Sequence, residues 1–196
     1  MSNQLPYFRA VPGTTRELIL PDTGKGFIYK KYTLHSVVRP DKDYRVTEEC
    51  TGYGCVLCKT AYDDYDNLVK ELDEWKLEAG PGVGETEMEN EYHVRANKLP
   101  VSRPRIQYQV LAVDAKIKTP LIWKLTETAF EDKFYPAFIK ALRGSQRWAT
   151  LSVRIPHGNM PFVVKDMIVM KAPFNCDLTE EEQNTILKKI SDHVFH

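Results

Sequence analysis

Apolar residues recur along this chain in two rhythms, one of period two and one near 3.6, and the places where they switch outline its elements. Residues 105–114 (RIQYQVLAVD) put Ile106, Tyr108, Val110 and Ala112 on one parity and Leu111 and Val113 on the other. Apolar on both faces, this segment predicts a central strand. Residues 119–126 predict a second strand through Leu121-Ile122-Trp123-Lys124-Leu125. Earlier strands are expected over 5–13, ending at Pro12-Gly13, then over 17–20 and 26–38, separated by Pro21-Asp22-Thr23-Gly24. Residues 148–155 and 160–170 predict a last pair joined across Pro156-His157-Gly158-Asn159.

The longer rhythm predicts three helices. Over 63–78, Tyr65, Leu68, Val69, Leu72 and Trp75 share a face, and Gly80-Pro81-Gly82-Val83-Gly84 ends the run in a flexible loop. Over 127–142, Phe130, Phe134 and Phe138 repeat at core spacing, with a kink expected at Pro136. A capping box, Thr179-x-x-Glu182, opens the third helix, which is expected to run to about residue 194. About five strands with a helix inserted midway predict an α+β chain built on a five-stranded oligonucleotide-binding (OB) fold barrel. The expected organisation is one domain over 1–196, with a cysteine knuckle and acidic helical insertion at 35–92 and a C-terminal helix at 177–196.

A length of 196 residues, 42% hydrophobic and 28% charged, is enough for a real core. No run approaches the ~18 apolar residues of a membrane span. Met1-Ser2-Asn3-Gln4-Leu5-Pro6 lacks the pattern of a signal peptide. The expectation is a cytoplasmic protein with no membrane partner, in a host cell's cytoplasm if phage-encoded. Net charge is zero, which argues against binding nucleic acid through bulk positive charge. The charges are segregated, however. Acids from Asp63 to Glu91 dominate one stretch, while Arg95, Lys98, Arg103, Arg105, Lys116, Lys118 and Lys124 face Asp114 alone in the next. A local basic stripe can hold phosphates on a neutral protein.

The strongest chemical signal is Cys50-x4-Cys55-x2-Cys58, three thiols on a turn containing Gly52 and Gly54. With His35 upstream, Cys50, Cys55 and Cys58 make a closed Cys3His set suited to one structural zinc ion, with no position left for a reacting water. His93 and Cys176 compete with His35 for the fourth place. Buried small thiols and a disulfide are the other uses such cysteines have. Catalytic patterns are missing: no glycine-rich phosphate loop, no H-E-x-x-H, no G-x-S-x-G and no deaminase signature. Asp63, Asp64 and Asp66 would suit a metal-dependent nuclease, but acids at a helix start serve the helix dipole. A non-enzymatic protein is expected.

Aromatics stand beside basic residues at Tyr7-Phe8-Arg9, at Tyr92-His93 before Arg95, at Trp123-Lys124 and at Arg147-Trp148. Single-stranded nucleic acid is bound by this mixture, rings stacking on bases while cations follow the phosphates. Tyr53, between Gly52 and Gly54, is expected to present its ring to a ligand.

In the order of these motifs the chain resembles the single-stranded-DNA-binding proteins of T-even bacteriophages. The resemblance runs over roughly residues 5–175 and rests on Phe8-Arg9-Ala10-Val11-Pro12, His35, the knuckle with its tyrosine, Glu91-Tyr92, the basic run and Gln109-Val110-Leu111-Ala112-Val113-Asp114. It implies a zinc-braced OB fold whose basic, aromatic-lined cleft protects single strands during phage-type replication, recombination or repair. Zinc ligands carry over to His35, Cys50, Cys55 and Cys58, and DNA contacts to Arg9, Tyr53, Tyr92, Arg103, Arg105 and Trp123. Lys98, Tyr108 and Lys124 join that set from the basic aromatic half itself. The family's basic arm and acidic tail have no counterpart in Met1–Leu5 or in the mixed-charge end, so self-association along DNA and recruitment of replication or recombination proteins are left open. An RNA-binding, translation-regulating OB module and a zinc-braced protein-interaction domain are the alternative functions.

Overall fold

The structure, a computed structural model, describes residues 5–9, 11–21, 29–142, 148–155, 168–171 and 178–191. Its strands are β1 (Thr15–Leu20), β2 (Tyr29–Val38), β3 (Arg45–Glu49), β4 (Arg105–Asp114), β5 (Thr119–Thr126), β6 (Ala149–Arg154) and β7 (Ile168–Lys171). Its α-helices are α1 (Val56–Ala79), α2 (Glu85–Ala96), α3 (Tyr135–Leu142) and α4 (Glu180–Ser191). None of the described helices is long and apolar enough to cross a membrane. The chain divides into a sheet unit, residues 1–31 with 107–196, and an inserted unit, residues 32–106.

In the sheet unit the strands run in the order β5-β4-β1-β6-β7, every ladder antiparallel. It is an open path; pairing that would close it into a barrel is not present among the described strands. β4 and β5 form a hairpin from Gln107↔Thr126 to Asp114↔Thr119. Its turn is shaped by Asp114, whose Oδ1 accepts from the backbone N–H groups of Lys116 and Ile117. Both faces of β4 are covered, which explains its doubly apolar sequence. Leu111 and Val113 pack with Ile19 against Ile186 and Ile190, the apolar stripe of α4, and against Leu178 just before it. On the other face Trp123, opposite Val110, meets Phe8 and Phe134 edge-on.

Three aromatic residues at four-residue spacing, Phe130, Phe134 and Phe138, continue that side as a stack. They lie on a π-helical segment, Ala129–Phe134, that leads into α3. Where a break or kink at Pro136 was expected, the hydrogen-bond ladder before the proline is π-helical. Proline has no N–H to donate and its ring crowds the preceding turn, so the ladder widens; the Tyr135 N–H donates to Phe130 O, five residues back. The capping box of α4 is formed: the Thr179 N–H donates to Glu182 Oε2 at 2.9 Å, and the Glu182 N–H to Thr179 Oγ1 at 3.2 Å.

Several expectations change. The described residues 5–9 and 11–13 form no strand; Tyr7 makes a lone parallel bridge to Ile122, and Gly13 turns the chain at a φ of 77°. The helix expected over 63–78 begins seven residues earlier, at Val56, directly after the knuckle, with Cys55 at the N-cap position. Strand β3 and helix α2 were not foreseen. The inserted unit runs over 32–106, wider than 35–92. The turn at 156–159, the strand before residue 168, the helix beyond 191, and Arg147, His157, Cys176 and His193 lie outside the described residues.

Candidate metal centre

Strand pairing brings the four donors together. The β2–β3 hairpin sets Leu34 opposite Glu49 and His35 opposite Glu48, and the Cys50 N–H then donates to Thr33 O at 2.8 Å. Cys50 therefore follows the hairpin on the face that His35 occupies two residues along. Gly52 and Gly54, at φ of 83° and 78°, reverse the chain through left-handed conformations that a side chain would strain. The Cys55 N–H closes the knuckle on Gly52 O at 3.1 Å, and α1 starts at once. One turn into that helix, Cys58 lies on the side of Cys55.

His35 Nε2 is 3.3 Å from Cys58 Sγ and 3.8 Å from Cys55 Sγ, and Cys50 Sγ is 3.5 Å from Cys58 Sγ. All four donor atoms lie within 4.8 Å of one another. A tetrahedral site with metal–sulfur bonds of about 2.3 Å has edges of roughly 3.8 Å, so these separations fit four donors around one ion. They exclude a disulfide, whose sulfurs stand about 2 Å apart; the three cysteines are free. The Cys58 and Thr51 N–H groups draw the Cys55 thiol down to about 5, while burial pushes Cys58 up to about 12. Backbone donors thus favour the Cys55 thiolate, while a cation at the site would compete with the proton for Cys58.

The imidazole is set by its second nitrogen. His35 is 0% exposed, and its Nδ1 lies 2.9 Å from Ser102 O. With Nδ1–H donating to that carbonyl, Nε2 carries the free lone pair and faces the sulfurs. Ser102 is itself fixed: its N–H donates to Ser36 O, its Oγ accepts from the Ser36 N–H, and Val37 bridges Val101. Arg45 binds both sides of this junction, donating to Ser36 O and Leu99 O at 2.8 Å each and to Ser36 Oγ at 2.9 Å. Sequence reasoning missed Arg45, whose only signal is a basic residue opening a short strand.

The competing ligand His93 is exposed on α2 beside Glu89, away from the sulfurs. Tyr53 is fully exposed at the knuckle's tip. Immediately after Ser102, exposed Arg103 lies 4.5 Å from the Tyr65 ring centroid and 6.0 Å from that of Tyr62, and Tyr65 is 6.4 Å from Tyr92. Tyr62 and Tyr65 were not among the expected contacts; a tyrosine pair on α1, three residues apart, was their signal. Lys98 and Arg105 are exposed in the same unit. Arg9 and Lys124 belong to the sheet unit, where Lys124 Nζ lies 4.0 Å from the Tyr7 ring centroid.

Two expected contacts are corrected. Trp123 is 2% exposed, enclosed by Phe8 and Phe134, so its ring has no face for a base. Tyr108 is 5% exposed, stacked on Phe130 with centroids 3.9 Å apart, and its hydroxyl donates to Glu131. Both were drawn into the core because a large ring on a doubly covered strand pair gains more by burial than by exposure.

No protein-family model and no curated protein matches this sequence. The resemblance to phage proteins therefore stands on the order of its motifs alone.

Proposed function

We propose that this protein binds single-stranded DNA with little sequence preference, and that a structural zinc ion at His35, Cys50, Cys55 and Cys58 braces the binding surface. The observation that carries this function is Arg103, exposed and stacked on Tyr65 beside Tyr62 and Tyr92. Guanidinium planes and tyrosine rings accept any base, each stacked base contributing roughly 1–3 kcal/mol. Lys98 and Arg105 add phosphate contacts at the same end of the inserted unit's chain, and Tyr53 offers a further ring.

The metal's contribution is mechanical. A zinc ion bound there would hold Nε2 of His35, whose Nδ1–H donates to the Ser102 carbonyl, and the next residue is Arg103. Occupancy of the site is thereby tied to the placement of the stacking cation through one covalent step. The antiparallel strands of the sheet unit would serve as the OB-type framework, and protection of transient single strands in phage-type replication, recombination or repair is the proposed biological setting.

Fluorescently labelled oligo-dT, titrated against duplex of equal length, tests this directly. Single strands should bind more tightly, with affinity falling steeply as salt rises because counterions are released. Arg103→Ala should weaken binding about tenfold without changing metal content. Equal affinity for both forms, or none for either, would sink the function; preference for the ribose form would redirect it to RNA.

A further inference from the structure

The sheet unit contains a cavity of about 550 Å3, lined in part by Tyr7, Arg9, Arg16, Asp114 and Thr119. That volume lies within the range of small-ligand sites, and the polar groups are few and convergent. Asp114 is the one carboxylate on its wall and is 5% exposed. Its oxygens are already committed: Oδ2 to Arg16 at 3.3 Å, Oδ1 to the N–H groups of Lys116 and Ile117. Arg9 is exposed and has no ion-pair partner among the described residues. Lys124 stands over the half-exposed Tyr7 ring, also without a carboxylate partner among them.

Arg9 and Arg16 against Asp114 leave one net positive charge on the cavity wall, and with Arg16 paired to Asp114 that charge is the Arg9 guanidinium. A phosphate monoester is drawn by that charge and offers three acceptor oxygens to the fork of the arginine, one more than a carboxylate has. Tyr7 offers a ring edge and face to a planar group at the same opening. We infer that this cavity binds a nucleotide carrying a terminal phosphate monoester, either a free nucleoside monophosphate or the phosphorylated end of a strand. The site shares no residue with the Arg103 platform, so it goes beyond the function proposed above and can stand or fall without it.

The test uses the full chain. Affinities are measured for dTMP, deoxythymidine and inorganic phosphate, and for a short dT oligomer with a 5′-phosphate, a 3′-phosphate or neither. At least one phosphorylated form should bind about tenfold more tightly than its unphosphorylated partner. Arg9→Gln should bring that ratio close to one, with an unchanged melting temperature showing that the variant is folded. Arg103→Ala should weaken the oligomers but keep the ratio. A preference confined to dTMP assigns the site to free nucleotides, and one confined to an oligomer assigns it to a strand end. A ratio of one in every pair, a ratio that survives Arg9→Gln, or inorganic phosphate binding as tightly as dTMP would overturn the inference.

Discussion

The sheet unit buries Leu18, Ile19, Leu20, the run from Val110 to Val113, Trp123, Phe130, Phe134 and the apolar stripe of α4. The inserted unit buries Leu34, Val37, Ala61, Leu68, Leu72 and Val101, and beside them His35 and Cys55. One unit is held by a continuous apolar core; the other has a few aliphatic side chains and sets polar donors where a core would be. Small units of this kind fold with a staple, and the four clustered donors, which could hold one metal ion, are placed to be it. The difference teaches where function can sit: a unit that does not depend on packing aromatic rings inside can afford to leave Tyr53, Tyr62 and Arg103 outside.

With a zinc ion bound as proposed, the sharpest way to break this contrast is to remove it. Structural zinc sites contribute about 10–16 kcal/mol in apparent terms, more than the stability of a unit this size at ~0.05–0.15 kcal/mol per residue. A chelator should therefore unfold the inserted unit while the sheet unit persists. Hydrogen exchange would show β3, α1 and α2 losing protection as β1, β4 and β6 keep theirs; simultaneous loss everywhere, or no loss, contradicts the contrast. The reverse experiment is Phe134→Ala. Phe134 is fully buried among Trp123, Phe130 and Phe138, so its truncation should cost about 3–5 kcal/mol. Denaturant unfolding should record that loss while metal content stays unchanged.

A smaller effect sharpens the contrast at α4. Lys118, and then the Thr179 N–H, hold the Glu182 carboxyl below its usual value. A lowered carboxylate stabilises the fold above its ordinary range and stops doing so as pH falls through the lowered value. Exchange protection of α4 should thus decline as acidification passes below the ordinary glutamate range, and Lys118→Met should flatten that dependence. Thr179→Ala should cost about 1 kcal/mol at neutral pH, read from thermal melting.

What the sequence disclosed follows from which forces write themselves locally. β4 and β5 were legible to the residue because both are dense in apolar side chains, and the α4 cap because its two partners are three residues apart. The donor set was legible because thiols at this spacing have few other uses. Helix α2 was not, since it buries no side chain and is held by Glu91–Arg95 at 2.7 Å, Glu89–His93 at 3.8 Å and the Gly84 N–H on Glu87. Strand β3 was hidden too: Arg45-Val46-Thr47-Glu48-Glu49 is polar, and a pairing with β2 across a hairpin defines it. Trp123 and Tyr108 were misplaced for a related reason. Adjacency to lysine or a basic run is a one-dimensional fact, while exposure depends on what covers the strand.

The stretch from Asn97 to Arg103 is anchored at both ends, by the Arg45 fork on Leu99 O and by His35 on Ser102 O. The hairpin tip at 39–44 is exposed at every position, and Gly82 and Gly84 have open space around them. Insertions and deletions should accordingly accumulate at 39–44 and 80–84 among descendants of this sequence. In the anchored stretch even one added residue would shift the Ser102 carbonyl off the imidazole and swing Arg103 from its tyrosines. There the spacing is as heritable as the side chains it places.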